Sequence, residues 1–506
     1  MSANTQHNPS LPKKHCNKNQ QQNQSKTFGE MNFQNAQLGD ARRTRRLVKT
    51  ADALTRHAGE SLPQRLKTET ELQGFYRLCE CPQVTHASVL QPHVERTCSI
   101  LKERCEASEV TLILHDSSEL DYTHMESLTN LGQIGNGSRR GYICHNSLAV
   151  DPETREVIGL TGQILHHRIK VRKNETAAQR RNRKSRESRL WVTAAEKLSA
   201  SKNLVDVCDR GADTFEFLEH DANSGRLFVV RSSHNRAIIQ DTVKVVSDDN
   251  TSTKPTLLHD YSRSLPAMGR HTSRVTAKTI VKKPKRSGKK KTKKCTNREA
   301  ALSVSFAPVL LKAPRNKNGQ HGNDPLHLWI IRVWEEHPPA GEEPLEWFLL
   351  MNKPIASLED ALEVIGWYEC RWVIEEYHKA MKSGCKVEKI QFTDADRQQP
   401  AIALLSVVAI SLLNLRTVSR APDAKQRQAT EIISGEYVRL LSVWRTNKIE
   451  EEWSVYDFFY ALARLGGHQN RKHDHPPGWQ ILWRGWSDLH LLHTGAETQK
   501  TLQKCA

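Results

Sequence analysis

The chain has 506 residues, a formal net charge of +18 and an isoelectric point of about 9.4, with lysine and arginine spread through every third of it. That length holds roughly two to four domains with cores of their own, and a protein this basic meets a polyanion, nucleic acid ahead of an anionic membrane surface. An apolar run of about eighteen residues and a leader-like core after the polar start Met1 to Gln6 are both lacking, which argues against a membrane span or secretion and for a soluble, cytoplasmic protein.

In chain order, residues 1–32 are rich in Asn, Gln, Lys and Ser and are expected to form a disordered tail. Residues 33–88 read as a helical, DNA-binding N-terminal domain. There Asp40 is placed as the N-cap of a basic helix that begins Ala41-Arg42-Arg43. Arg42, Arg46 and Lys49 share one face of it, with Leu47 and Leu54 available for a core. An ordinary solvated surface would carry the same charges.

Residues 89–418 alternate as an α/β layer fold does. Val110–Leu114, Tyr142–Val150 and Val157–Leu165 read as strands, followed by a helix at about Ser188–Ser199. Leu204–Cys208 is a strand, Phe215–His220 a helix and Leu227–Val230 a further strand. The order β-β-β-α-β-α-β, with Asp116 and Asp209 just beyond the first and fourth strands, is by fold analogy a ribonuclease-H-like catalytic core. An inserted β-rich subdomain is expected at about 235–345, holding a lysine-rich mobile loop from Lys282 to Lys294. Strands resume at Leu328–Trp334 and Leu345–Met351, and one long helix is predicted over about Leu358–Lys382. An apolar helix, Ala401–Leu415, leads to a helical C-terminal domain at 419–506.

The eleven cysteines are odd in number and form no disulfide framework, so all are read as reduced. Cys79 and Cys81 lack a second pair to close a zinc site. His166-His167 and His473-Asp474-His475 lack metal-site spacing and partners.

The densest chemistry lies on the long helix. Successive residues turn by ~100°, so Tyr368, Arg371, Glu375, Lys379 and Lys382 fall within an arc of roughly 80°. That face presents one carboxylate flanked by a hydroxyl and three cations, which suits a metal ion beside a phosphate backbone. Glu375 and Lys379 also have the spacing of a plain surface ion pair. Glu376 points ~100° away from the stripe, so Glu375 is the candidate. With Asp116 and Asp209 it supplies the sparse carboxylate set that two divalent ions share in a phosphoryl displacement.

The pattern Tyr368-x-x-Arg371-x-x-x-Glu375-x-x-x-x-x-x-Lys382 resembles the YREK signature of bacterial DDE transposases of the insertion-sequence-four family. Leu38-Gly39-Asp40-Ala41-Arg42-Arg43-Thr44, His115-Asp116-Ser117-Ser118, Val207-Cys208-Asp209-Arg210 and Phe228-Val229-Val230-Arg231-Ser232 are similar to that family in the same order. So are Glu343-Pro344-Leu345-Glu346-Trp347 and Ala463-Arg464-Leu465-Gly466-Gly467, and the likeness runs from about residue 33 to 490.

The resemblance implies that Asp116, Asp209 and Glu375 are catalytic and bind two Mg²⁺ per site, with Mn²⁺ able to substitute. It implies nicking of each transposon end, a hairpin intermediate, and joining of the freed ends to target DNA. Tyr368, Arg371, Lys379 and Lys382 match positions that grip phosphate, and Arg231 is expected to touch phosphate too. Trp347 matches the aromatic that stacks on a flipped base, although without the resemblance it reads first as a strand tryptophan buried in the core. Arg42, Arg43 and Arg46 would help to read the terminal repeat. The implied partners are double-stranded DNA, at transposon ends and target, and a second copy of the chain in a synaptic homodimer held by the C-terminal domain. A structure-selective nuclease without strand transfer and a non-catalytic inhibitor derived from a transposase are the alternatives.

Overall fold

The computed structural model describes residues 26–56, 61–168, 174–183, 185–239, 256–275, 279–282, 291–294, 298–315, 319–340, 342, 344–471 and 474–505. The N-terminal part is built of short helices whose starts the sequence marks. Thr27 caps α1 (Phe28–Phe33) in a reciprocal capping box with Glu30. Asp40 accepts from the Arg42 N–H at 2.7 Å at the start of α2 (Ala41–Arg56). Thr68 and Glu71 box the start of α3 (Glu69–Glu80), and Thr85 and Ser88 that of α4 (His86–Glu106). The expected tail is therefore shorter than 1–32: α1 begins at Phe28 and buries Gly29 and Asn32, and residues 1–25 lie outside the described residues.

One mixed sheet organises the rest. Its first part contains β1 (Thr111–Asp121), β2 (Arg140–Val150), β3 (Val157–His166), β4 (Leu204–Cys208) and β5 (Leu227–Arg231). Their order is β3-β2-β1-β4-β5, with β1, β4 and β5 parallel, β2 antiparallel to its neighbours β1 and β3, and β3 therefore running in the direction of β1. Helices α5 (Leu190–Ala195) and α6 (Phe215–Asn223) make the crossovers on one face. This is the α/β, ribonuclease-H-like arrangement. β1 runs seven residues past Leu114, because β2 continues to pair with it as far as Asp121. Asp116 thus lies inside a strand, not after one.

The segment read as an inserted subdomain extends this same sheet. β6 (Gly269–Val275) pairs with β7 (Arg298–Leu311), β7 with β8 (Leu326–Trp334), and β8 with β9 (Glu346–Met351). β9 then pairs antiparallel with β5, giving eleven strands in one sheet among the described residues. Thr279–Lys282 and Lys291–Lys294 form a two-stranded ribbon, so the ends of the expected lysine-rich loop are paired. Residues 283–290 lie outside the described residues.

The single long helix expected over Leu358–Lys382 is broken in two, α7 (Leu358–Glu369) and α8 (Trp372–Lys379). Between them the backbone tightens: Arg371 N–H bonds to Tyr368 carbonyl at 3.0 Å and Val373 N–H to Cys370 carbonyl at 2.9 Å, both three residues back. After α8 it widens into a π turn, Ala380–Gly384. The apolar helix is longer than Ala401–Leu415. As α9 it spans Ala395–Ser419, capped by Asp394, with Pro400 inside it. The C-terminal helices α10 (Gly435–Thr446), α11 (Val455–Leu465) and α12 (Trp479–Cys505) pack around Leu441, Phe458, Leu462 and Leu482.

By length and composition α9 is apolar enough to cross a membrane, a property the sequence reading did not register, but 67% of its apolar window is buried inside the protein. It therefore packs as a core helix. Leu405→Ala should cost about 2–5 kcal/mol of stability, as large-to-small changes in a tight core do. Urea unfolding in detergent-free buffer measures it; an unchanged midpoint would show that α9 is not packed as described.

Candidate active site

Strand alternation sorts the chemistry onto two faces. On β1 and β4, Leu112, Leu114, Val205 and Val207 bury one face against α7, α8 and α9. Asp116 continues that side of β1. The parallel ladder between β1 and β4 ends at the pair His115 and Cys208, so Asp116 and Asp209 are the next residues on adjacent strands. Asp209 turns the chain: its Oδ1 accepts from Gly211 N–H at 2.8 Å and opens a short 3₁₀ turn. α8 crosses the same face and brings Glu375. Arg371, at the break between α7 and α8, joins the acids, with Nη2 2.5 Å from Glu375 Oε1 and Nη1 3.6 Å from Asp116 Oδ2.

Electrostatics report the same convergence. The Asp116 carboxyl is pushed up to about 7, first by burial and next by the charge of Asp209, with Glu375 adding to it. A hydrogen bond from Ser117 N–H at 2.7 Å and the charge of Arg371 oppose the shift. Burial works against the charge on Arg371, and Glu375, Tyr368 and Asp116 more than restore it. Three carboxylates with one shared guanidinium leave surplus negative charge, and an all-oxygen donor set of this kind fits a hard divalent cation. Among the described residues, the one group whose ligand atoms all lie within 4.8 Å of one another is elsewhere, at Glu436, His493 and Glu497. Lys500 already pairs with both of those glutamates. Asp116, Asp209 and Glu375 are spread more widely, and Arg371 bridges Asp116 and Glu375.

The remaining candidates divide. Tyr368 is 6% exposed and meets Trp347 edge-to-face, with ring centroids 5.7 Å apart. Trp347 is half-buried, on the same side of β9 as Leu349 and Met351, which is the face of the acids. Arg231 ends β5 on that face, donates to the Glu346 carbonyl at 3.2 Å and meets Tyr368, while burial pulls its guanidinium below the ordinary value. Lys379 is exposed, and Lys382, in the π turn, lies 3.6 Å from Glu388. Glu376 pairs with Arg416, away from the site.

The N-terminal arginines have unequal positions. Arg42 is exposed and paired with Asp40, whereas Arg43 is turned inward to the Leu38 carbonyl and Gln83. Arg46 lies half-buried over Gly74, where a Cβ would strike its guanidinium. Arg45, which the helical-face reading passed over, is exposed instead. Two further residues were missed. Arg210, next to Asp209, is exposed and close enough to Arg231 for their charges to interact. Trp372, next to Arg371, is 43% exposed. Both follow directly on motif residues, and that adjacency was the available signal.

The raised pKa of Asp116 has a stability consequence in divalent-free buffer. Its folded value, about 7, lies above the ordinary aspartate value of 3.8. The native state therefore holds an extra proton between those values, and stability falls as pH rises through that window. Asp116→Asn should unfold at higher urea than the parent at pH 8, by on the order of 2–4 kcal/mol. The gain should shrink through pH 6 and vanish below about pH 4. Equal stabilities at pH 8 would contradict the assignment.

Residues 25–84 match the family model described as transposase DNA-binding, and residues 111–412 match that described as transposase DDE domain. The second match covers more than half the chain and contains β1, β4 and α8 with all three acids. DDE domains use divalent metal ions. A DNA-binding segment thus precedes a mixed α/β domain in which two aspartates and a glutamate meet, and the chain belongs to the DDE-domain transposases.

Proposed function

We propose that the protein is a cut-and-paste transposase of the insertion-sequence-four type, similar over most of its length to the transposase of the kanamycin-resistance composite transposon. The observation that carries this reading is the convergence of Asp116, Asp209 and Glu375 on one face of the sheet, with Arg371 between them. These three acids would hold Mg²⁺, or Mn²⁺ in its place. Bound there, two such ions supply Lewis-acid charge to the attacking and leaving oxygens of an in-line phosphoryl transfer.

The chain's own groups do the positioning. Arg371 is shared by two acids, so a DNA phosphate can draw it away as the carboxylates gain cations. Lys379, Lys382 and Arg231 would hold neighbouring phosphates. Trp347, supported at its edge by Tyr368, presents a half-buried indole on which an extruded base can stack, offsetting part of the cost of unstacking. The exposed Arg42 and Arg45, with Arg43 and Arg46, would place the N-terminal helices on the terminal repeat, at first through phosphate contacts. Excision of an element needs two ends and two sites, so the working form would be a homodimer.

The test is to incubate the purified protein with Mg²⁺ and DNA carrying the element's own terminal repeats, and to resolve nicks, hairpins and joined products. All three are expected. Nicks alone would indicate a nuclease, and binding alone an inhibitor. Asp116→Ala, Asp209→Ala and Glu375→Ala should each abolish every product and leave end binding intact. Trp347→Ala should slow hairpin formation far more than nicking; an equal effect on both would return the indole to a packing role.

A further inference from the structure

The opposite face of the sheet carries a buried polar chain that the phosphoryl-transfer reading does not use. His115 immediately precedes Asp116 and points to the other side of β1. Its ring is fully buried, with Nε2 2.7 Å from Asp206 Oδ1 and Nδ1 2.9 Å from Ser147 Oγ. Asp206, also fully buried, accepts from Arg226 Nε at 2.7 Å. Arg226 in turn donates to Asp221 at 3.0 Å and to the Leu198 carbonyl at 3.2 Å.

Ser147, His115 and Asp206 have the connectivity of a nucleophilic triad, but Ser147 is 2% exposed and His115 0%, so no substrate reaches the hydroxyl. The role must be mechanical. Asp206 is held in its ionised form by His115 and Arg226. The imidazole therefore donates from Nε2 to Asp206, while its Nδ1 shares a hydrogen bond with the Ser147 hydroxyl. A buried ionic chain adds little stability over apolar packing of the same volume. What it adds is direction, since each bond fixes a distance and an angle.

Its location gives that direction a use. The β1–β4 ladder stops at His115 and Cys208, and the β4–β5 ladder stops at Cys208 and Val230. No backbone ladder holds Asp209 level with Asp116. The geometry points to His115 as a positioning residue for the metal-dependent reaction proposed above: standing on the last rung of the β1–β4 ladder and bonded to Asp206 on β4 and to Ser147 on β2, it sets the spacing of the Asp116 and Asp209 carboxylates. The inference rests on that reading of the acids.

Mn²⁺ binding to the DNA-free protein, followed by electron paramagnetic resonance, tests it alongside end binding and cleavage. His115→Phe removes both bonds; it should weaken the Mn²⁺ midpoint by about tenfold or more and slow cleavage by about 100-fold, as displacements of ~1 Å in a reacting constellation do. End binding should not change. His115→Gln, whose amide nitrogen reaches the position of Nε2, should bring Mn²⁺ binding back to within about threefold of the parent, whereas His115→Asn, which reaches only Nδ1, should not. Phe217→Leu, in the core on the same face, controls for stability alone and should leave the midpoint in place.

A parental midpoint in His115→Phe, with Asp116→Asn weakened, would overturn the positioning role and keep the metal site. A parental midpoint in Asp116→Asn as well would overturn the metal reading itself. If His115→Phe does not fold, the Gln and Asn variants decide: equal midpoints would overturn the proposal.

Discussion

Like charge gathered in one half-buried pocket is the constraint on which the rest of this molecule depends. Two parallel strands end their ladder just where Asp116 and Asp209 begin, and a helix crossing them adds Glu375. In a medium of reduced dielectric such groups repel one another strongly, and burial penalises each charge further. Left to themselves the elements would move apart. The apolar face formed by Leu112, Leu114, Val205 and Val207 against Val373, Ile374 and Tyr377 holds them together, and Arg371 neutralises part of the charge. The chain thus uses hydrophobic burial to maintain an electrostatic arrangement that is unfavourable until further positive charge balances it.

The irregular helix that carries Glu375 serves the same arrangement. A three-residue hydrogen-bond step turns the chain by about 120° per residue in place of 100°. Across Cys370 and Arg371 this rotation separates neighbours that a uniform helix would align. Tyr368 faces inward to Trp347, while Arg371 swings to Asp116 and Glu375. The π turn at Ala380–Gly384 changes the phase again before Lys382, which meets Glu388 near the end of β1. One stripe of five residues on paper becomes, in space, an aromatic pair, a guanidinium bridge and two peripheral lysines.

How much of this was legible depends on whether the signal was local. Apolar runs bounded by polar residues located β2, β3, β4, β5, β8 and β9, and Asp40 marked the start of α2. The continuation of β1 to Asp121 could not be read, because Ser117, Ser118 and Glu119 have no apolar periodicity and are held extended by β2, a partner more than twenty residues away. The insertion looked separate because its composition changes, yet its strands β7 and β8 lead through β9 to β5 in one sheet, and strand pairing leaves no trace in composition. Asp116, Asp209 and Glu375 could be named from sequence, and helical spacing already set Arg371 beside Glu375; that Asp116 shares this guanidinium could not be read, since it follows from α8 crossing β1. The buried chain His115, Asp206, Arg226 and Asp221 was likewise hidden, because each member alone looks like an ordinary polar residue beside a strand.

The N-terminal helices are not an appendage to this site. Phe33, Leu47, Leu54 and Phe75 belong to the same hydrophobic core as Leu114, Val207, Ile374 and Val407. Two polar links make that packing directional. Arg65, fully buried, donates to the carbonyl of Leu54 at 3.1 Å and to that of Cys385 at 2.8 Å, joining the last turns of α2 to the end of the π turn beyond α8. His86, at the start of α4, lies 2.8 Å from Gln163, whose amide donates to Asn146 at 2.7 Å, and Asn146 lies 3.1 Å from His378 Nε2. Burial pushes His378 down to about 3, so its ring is neutral and accepts from the Asn146 amide. A neutral imidazole three residues beyond Glu375 fixes the helix without adding a positive charge that would compete for the carboxylate. An apolar contact alone would let the helix slide along the sheet; hydrogen bonds with set angles do not. The N-terminal helices and the helix that carries Glu375 are therefore held in one orientation by direction as well as by burial.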